Sequence, residues 1–119
     1  MAARALLECS FLIPIRRDPN LSSGEPHRKK VWTWLEDELL AFRGATRAPQ
    51  LYPGWYLDQD TGEPVRDRSR KYFVALPRAQ VDELRRLLRK ACHKFCQKCI
   101  YLSVAGRVEF VEGERDAPT

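Results

Sequence analysis

Arg70-Lys71-Tyr72-Phe73-Val74-Ala75-Leu76-Pro77 is followed by eighteen residues in which Val81, Leu84, Leu88, Ala91 and Phe95 recur at three- and four-residue spacing. The first part reads as a strand, and its nearly continuous apolar half predicts burial on both faces. Pro77 opens a helix over residues 78–95, with Leu87 and Cys92 widening its apolar stripe. Asp82 and Glu83 stand near its start, and Arg89, Lys90 and Lys94 near its end. That placement suits the helix dipole. A strand begins near Cys99. Ile100, Leu102 and Val104 share a parity with Val108 and Phe110 across Ala105-Gly106, which favours one kinked or bulged strand over a hairpin.

The same pattern stands earlier in the chain. Residues 6–15 alternate with Leu7, Cys9, Phe11, Ile13 and Ile15 on one face, a two-residue period. A loop rich in Asp, Asn, Ser, Gly and Pro follows. A helix is predicted over residues 26–43, with Ser23 as its cap and Pro26 in its first turn. Val31, Trp32, Leu35, Leu39 and Phe42 form its stripe, and Gly44 is a stop signal. Residues 51–57 are weakened as a strand by Pro53 and Gly54, so a short or edge strand is expected. Residues 58–64 are turn material and 65–69 are a charged connection.

Strand, helix, strand, strand, helix, strand is the βαββαβ order of a ferredoxin-like α+β sandwich: a four-stranded antiparallel sheet with two helices on one face. The 119 residues suffice for a single domain, drawn at 1–112, with a flexible polar tail at 113–119. Four stretches together resemble a group of small uncharacterised bacterial proteins with a ferredoxin-like fold. They are residues 11–15 (FLIPI), 32–39 (WTWLEDEL), 67–74 (DRSRKYFV) and 97–102 (QKCIYL). The resemblance implies that fold across nearly the whole chain and brings no reaction with it.

Composition excludes some classes. No apolar run approaches the ~18 residues of a membrane helix. The amino-terminal stretch is interrupted by Glu8 and has no small-residue cleavage site, so it reads as a strand and not as a signal peptide. The expected setting is the cytoplasm, because Cys92, Cys96 and Cys99 crowd into eight residues where a disulfide scaffold would spread its cysteines. The net charge of +5 comes from 21 basic and 16 acidic residues, interspersed. Such mixing describes a solvated surface before it describes a nucleic-acid face.

Two constellations carry chemistry. Cys92, Cys96 and Cys99 can serve as zinc ligands from a helix end and the turn after it, with Cys9 or His93 as the fourth. An iron–sulfur reading would need a far larger chain. Against both, Cys92 lies on the apolar stripe and Cys9 alternates inward, as core thiols do. The second constellation is interactive: Tyr52, Trp55, Tyr56 and Tyr72 interleaved with Arg66, Arg68, Arg70 and Lys71. Such a set suits a protein interface or stacking of single-stranded RNA or DNA. Arg16, Arg17 and His27 add a candidate anion site at a helix start. No phosphate-binding glycine loop or metalloprotease motif is present, and nothing in the spacing of His27 and His93 assigns a Ser/His/Asp arrangement. The leading expectation is a non-enzymatic interaction or assembly module, a homodimer or a partner-bound protein. A small enzyme or sensor using an anion pocket or the cysteines, and a nucleic-acid binder, are the alternatives.

Overall fold

A computed structural model describes residues 5–17, 24–58 and 60–113. The Ser23 cap, part of the first loop and the tail beyond Gly113 lie outside the described residues. The elements are β1 (Leu7–Pro14), α1 (Lys29–Leu39), β2 (Thr46–Arg47), β3 (Tyr52–Leu57), β4 (Pro64–Leu76), α2 (Val81–Lys94), β5 (Cys99–Val104) and β6 (Arg107–Glu112). Single 3₁₀ turns extend α1 through Phe42 and precede α2 at Arg78–Gln80.

All six strands join one sheet in the order β2-β4-β1-β5-β6, with β3 on the same edge of β4 as β2. Every ladder is antiparallel. The expected four-stranded ferredoxin-like sandwich is therefore overturned, and with it the resemblance to small bacterial proteins of that fold. The two expected helices are present. The sheet has two more strands than the pattern allowed, and its strand order is not a meander.

Three local causes explain the difference. First, the carboxyl-terminal segment is a hairpin. Ala105 and Gly106 both adopt positive φ, 50° and 86°, the two-residue turn that matches strand twist. A two-residue turn reverses parity. Val104 therefore faces Arg107, and Val108 and Phe110 leave the face of Ile100 and Leu102. Second, the charged residues 65–69 are strand, because β3 pairs with them from Tyr52↔Ser69 to Leu57↔Pro64. Their side chains can stay charged because this arm runs beyond the helices. Third, Arg43 at φ 66° ends the first helical segment in the left-handed region, and the chain turns straight into the two residues of β2.

The core lies on one face. Cys9, Phe11, Ile13, Tyr72, Val74, Leu76, Ile100, Leu102 and Val111 meet Trp32, Leu35, Leu39 and Phe42 from the first helical segment and Leu84, Leu88, Ala91 and Phe95 from the second. Burying each such side chain is worth roughly 1.5–3 kcal/mol. Leu12, Phe73, Tyr101 and Phe110 have the opposite parity and are half-buried or exposed. The expectation that β4 is buried on both faces is corrected accordingly: Tyr72, Val74 and Leu76 are buried, whereas Phe73 and Ala75 are not. Pro26 also stands elsewhere than expected. It bridges to Arg16, and α1 begins three residues later.

Candidate functional site

Strand alternation divides the aromatic and basic constellation. Tyr52, Tyr56 and Lys71 have the parity of the open face, with Tyr52 opposite Ser69 and Tyr56 opposite Val65. Trp55, Arg66, Arg68, Arg70 and Tyr72 have the parity of the helix face. One continuous stacking platform is not assembled from this set. Tyr72 is buried against Phe11, rings 5.3 Å apart, and donates its hydroxyl to Glu36 Oε2 at 2.8 Å. Arg47 bonds the same oxygen at 3.1 Å, and Arg70 approaches it at 4.0 Å while lying 4.0 Å over the Trp32 ring. Burial pushes the Tyr72 phenol up, and its hydrogen bond to Glu36 adds to the shift.

The proposed anion residues are each engaged by the fold, with Arg17 and His27 close enough to interact electrostatically. Arg17 pairs with Glu25 at 3.6 Å. Arg16 donates to the Gly24 carbonyl at 2.8 Å. His27 turns inward, donating Nε2–H to the Pro14 carbonyl at 2.8 Å and packing edge-on against Phe95 and Trp32. Burial lowers its pKa, against the hydrogen bond to Pro14, and so favours the neutral ring. Gln97 completes this corner, donating to the carbonyls of Arg16 and Phe95.

The cysteines differ in burial, and Cys92 and Cys99 are electrostatic neighbours. Cys9 and Cys92 are buried, whereas Cys96 and Cys99 are half-exposed. Cys92 donates its thiol to the Val111 carbonyl at 3.4 Å, and burial pushes its pKa up to about 12. A thiol so shifted stays protonated at neutral pH and is a poor nucleophile. Cys9 lies where Arg85 and Glu109 supply its electrostatic neighbours, two turns of α2 away from Cys92. Among the described residues, no three His, Cys, Asp or Glu side chains gather closely enough to hold a metal ion.

The arm carries a site that the sequence reading passed over. Asp67 faces Gly54 across the β3–β4 ladder. Its Oδ1 lies 2.6 Å from the point where a Cβ on Gly54 would stand. The carboxylate thus occupies a notch that only glycine leaves open. Tyr52 and Tyr56 flank Gly54 on the same face. Asp67 has no hydrogen-bond or ion-pair partner among the described residues, and burial alone pushes its pKa up. Glycine inside a strand often marks such a close approach. In the sequence Gly54 signals only a weakened strand, and Asp67 stands only among the charged residues 65–69.

Apolar residues are exposed at both margins of the sheet. Trp55 is 78% and Leu57 65% exposed on the arm, and Val108 is 52% and Phe110 64% exposed on β6. On the open face Tyr101 meets Phe110 edge-on at 5.9 Å, and the Lys71 ammonium lies 5.1 Å from both the Tyr52 and Phe73 rings. No helix among the described residues is long and apolar enough to cross a membrane.

No family model matches the chain. No curated protein matches it either. Solved structures do. A phage SAM lyase in complex with S-methyl-5'-thioadenosine superposes with a TM-score of 0.68 at 12% identity, over 95% of this chain and 94% of that one. A phage SAM lyase in its apo state gives 0.61 at 13% identity, over 98% and 99%. At such identity the likeness is one of fold: this chain follows, nearly end to end, the path of those two phage structures.

Proposed function

We propose that this chain assembles with copies of itself and, in that assembly, binds and cleaves a nucleoside sulfonium of the S-adenosylmethionine class at the Asp67 notch. The observation that carries the proposal is the unpartnered, half-buried Asp67 carboxylate over Gly54, between Tyr52 and Tyr56. The path likeness to a lyase bound to S-methyl-5'-thioadenosine supports this ligand class. That is a fold-level analogy, and the notch gives it chemical content.

S-methyl-5'-thioadenosine has a purine, a ribose and a neutral thioether. S-adenosylmethionine adds a charged sulfur and an amino-acid arm. What both share is the ribose diol and the purine. A carboxylate accepts both diol hydrogens, and tyrosine rings stack on the purine. When the sulfur–carbon bond to the amino-acid arm breaks, its electron pair stays on sulfur, the arm's own carboxylate oxygen bonds to the carbon that sulfur leaves and closes a lactone, and the positive charge at sulfur disappears. A water-poor site favours that loss of charge, since burying an ion is costly and burying a thioether is not.

The arm by itself is too open to exclude water. Self-association supplies the cover. The exposed arm residues Trp55 and Leu57 lie at one margin of the sheet, and Val108 and Phe110 at the other. Two different apolar patches on opposite edges suit head-to-tail contacts, which close into rings when the rotation permits. This retains the assembly role expected from the sequence and gives it a site.

The test is to incubate the purified protein with S-adenosylmethionine and follow S-methyl-5'-thioadenosine by chromatography, with native mass recorded on the same sample. The expected result is thioadenosine formation by an oligomer. Asp67→Asn should weaken S-methyl-5'-thioadenosine binding about 10- to 100-fold, the worth of hydrogen bonds to a charged acceptor. A protein that neither forms nor binds the thioadenosine sinks the proposal.

A further inference from the structure

About 26 Å along β4 from Asp67, at ~3.3 Å per residue, a second cleft interrupts the sheet edge. Its volume is about 780 Å³, within the range of small-molecule sites. Leu6, Phe42, Phe73 and Pro77 give it apolar walls, and Ala75 lies between them.

The cleft exists because a ladder stops early. β2 pairs with β4 only through Thr46↔Phe73 and Arg47↔Tyr72. The Ala48 N–H continues the ladder to the Lys71 carbonyl at 2.9 Å. Odd-numbered residues of β4 therefore aim their backbone groups at β2. Even-numbered ones aim at β1, as the Ile15 N–H bond to the Arg68 carbonyl confirms. Ala75 should be next to pair, opposite Gly44. It does not, because positive φ at Arg43 and Gly44, 66° and 116°, bends the chain away. Among the described residues, the ladder of β2 on β4 ends at Thr46↔Phe73, which leaves the outward N–H and C=O of Ala75 beyond its last pair.

We infer that this cleft is a binding site for a flat heterocycle with adjacent donor and acceptor, of the adenine class, held by the Ala75 backbone. In an antiparallel sheet, a residue's N–H and C=O serve one facing residue together. An adenine edge offers the complementary pair: its amino group donates to the carbonyl, and its ring nitrogen accepts from the N–H. The Phe42 and Phe73 rings supply the apolar contact that a planar base needs. The cleft is separate from the Asp67 notch and does not depend on the nucleoside reading of the arm.

Free adenine is the probe, because it lacks the ribose on which Asp67 would act. In a ¹H–¹⁵N spectrum of the full chain, adenine should shift the Ala75 amide saturably, and Asp67→Ala should leave that shift unchanged. Compared as the 9-methyl derivatives, which lack the N9–H, the N6,N6-dimethylated base keeps the ring and loses the donor, and should bind about tenfold more weakly than 9-methyladenine. Ala75→Pro, on an edge where no ladder bond is lost, should abolish the adenine-induced shifts of the neighbouring Phe73 and Leu76 amides while the remaining spectrum shows a folded chain. Equal binding of the dimethylated base, shifts confined to the arm, or no saturable shift at Ala75 would each overturn the inference.

Discussion

Asp67 holds the space that a side chain on Gly54 would need, its Oδ1 2.6 Å from the position of that absent Cβ. This pairing fixes where a carboxylate can rest on the open side of the arm. Gly54→Ala should push the carboxylate out of the notch and cost about 1–3 kcal/mol, as overpacked sites do. Combining it with Asp67→Ala should recover most of that loss. Urea unfolding of the two single variants and the double variant measures the coupling. Additive effects would mean that the two residues do not compete for the space.

The burial of Asp67 has a pH signature. Its folded pKa lies above the unfolded value near 3.8. The folded state therefore holds that proton more tightly. The contribution to stability is fully present below the unfolded pKa and is lost as pH rises through the folded pKa. Asp67→Asn should accordingly raise the melting temperature at pH 7, and the gain should shrink toward zero below about pH 3.8. Thermal melts at both ends of that range decide it. A gain independent of pH would remove desolvation as the cause.

Cys96 ends α2 in the left-handed region at φ 50°. The Gln97 N–H reaches the Cys92 carbonyl at 2.8 Å, and the Cys96 N–H reaches that of His93 at 3.2 Å. This is the glycine-favouring helix terminus, occupied here by a residue with a Cβ. Cys96→Gly should stabilise the protein by about 1 kcal/mol. Chemical denaturation is the check, and an unchanged midpoint would show that the side chain returns what the backbone loses.

The hydroxyl of Tyr72 reaches Glu36 from beneath α1. Tyr72→Phe removes the donor and keeps the ring stacked on Phe11. The expected cost is about 1–2 kcal/mol, because the acceptor is charged but retains Arg47. A loss well beyond that would mean that Tyr72 also positions Arg70.

Thiol labelling separates the cysteines. Cys92, pushed up to about 12, should stay unreactive at pH 8 until the chain unfolds, and so should buried Cys9. Cys96 and Cys99 should modify first. Mass spectrometry of the labelled peptides reads the order, and early modification of Cys92 would contradict its burial beneath β6.

Local patterning located the two helices and the strands that carry the core, because Phe11, Ile13, Leu35, Leu84 and Leu88 obey the periods of their own elements. A stripe or an alternation needs only near neighbours, and near neighbours are what a sequence displays. What it could not display was pairing. The charged residues from Val65 to Ser69 become strand only because β3 lies beside them. Val108 and Phe110 change faces because a two-residue turn reverses parity. Asp67 meets Gly54 thirteen positions away, and Ala75 loses its partner to a bend at Gly44, on another segment. The sequence by itself thus determined the α+β class, the main elements and most of the core. The tertiary structure decided the strand count, the open face, the arm and both clefts, because hydrogen bonds between strands join residues that no local period relates.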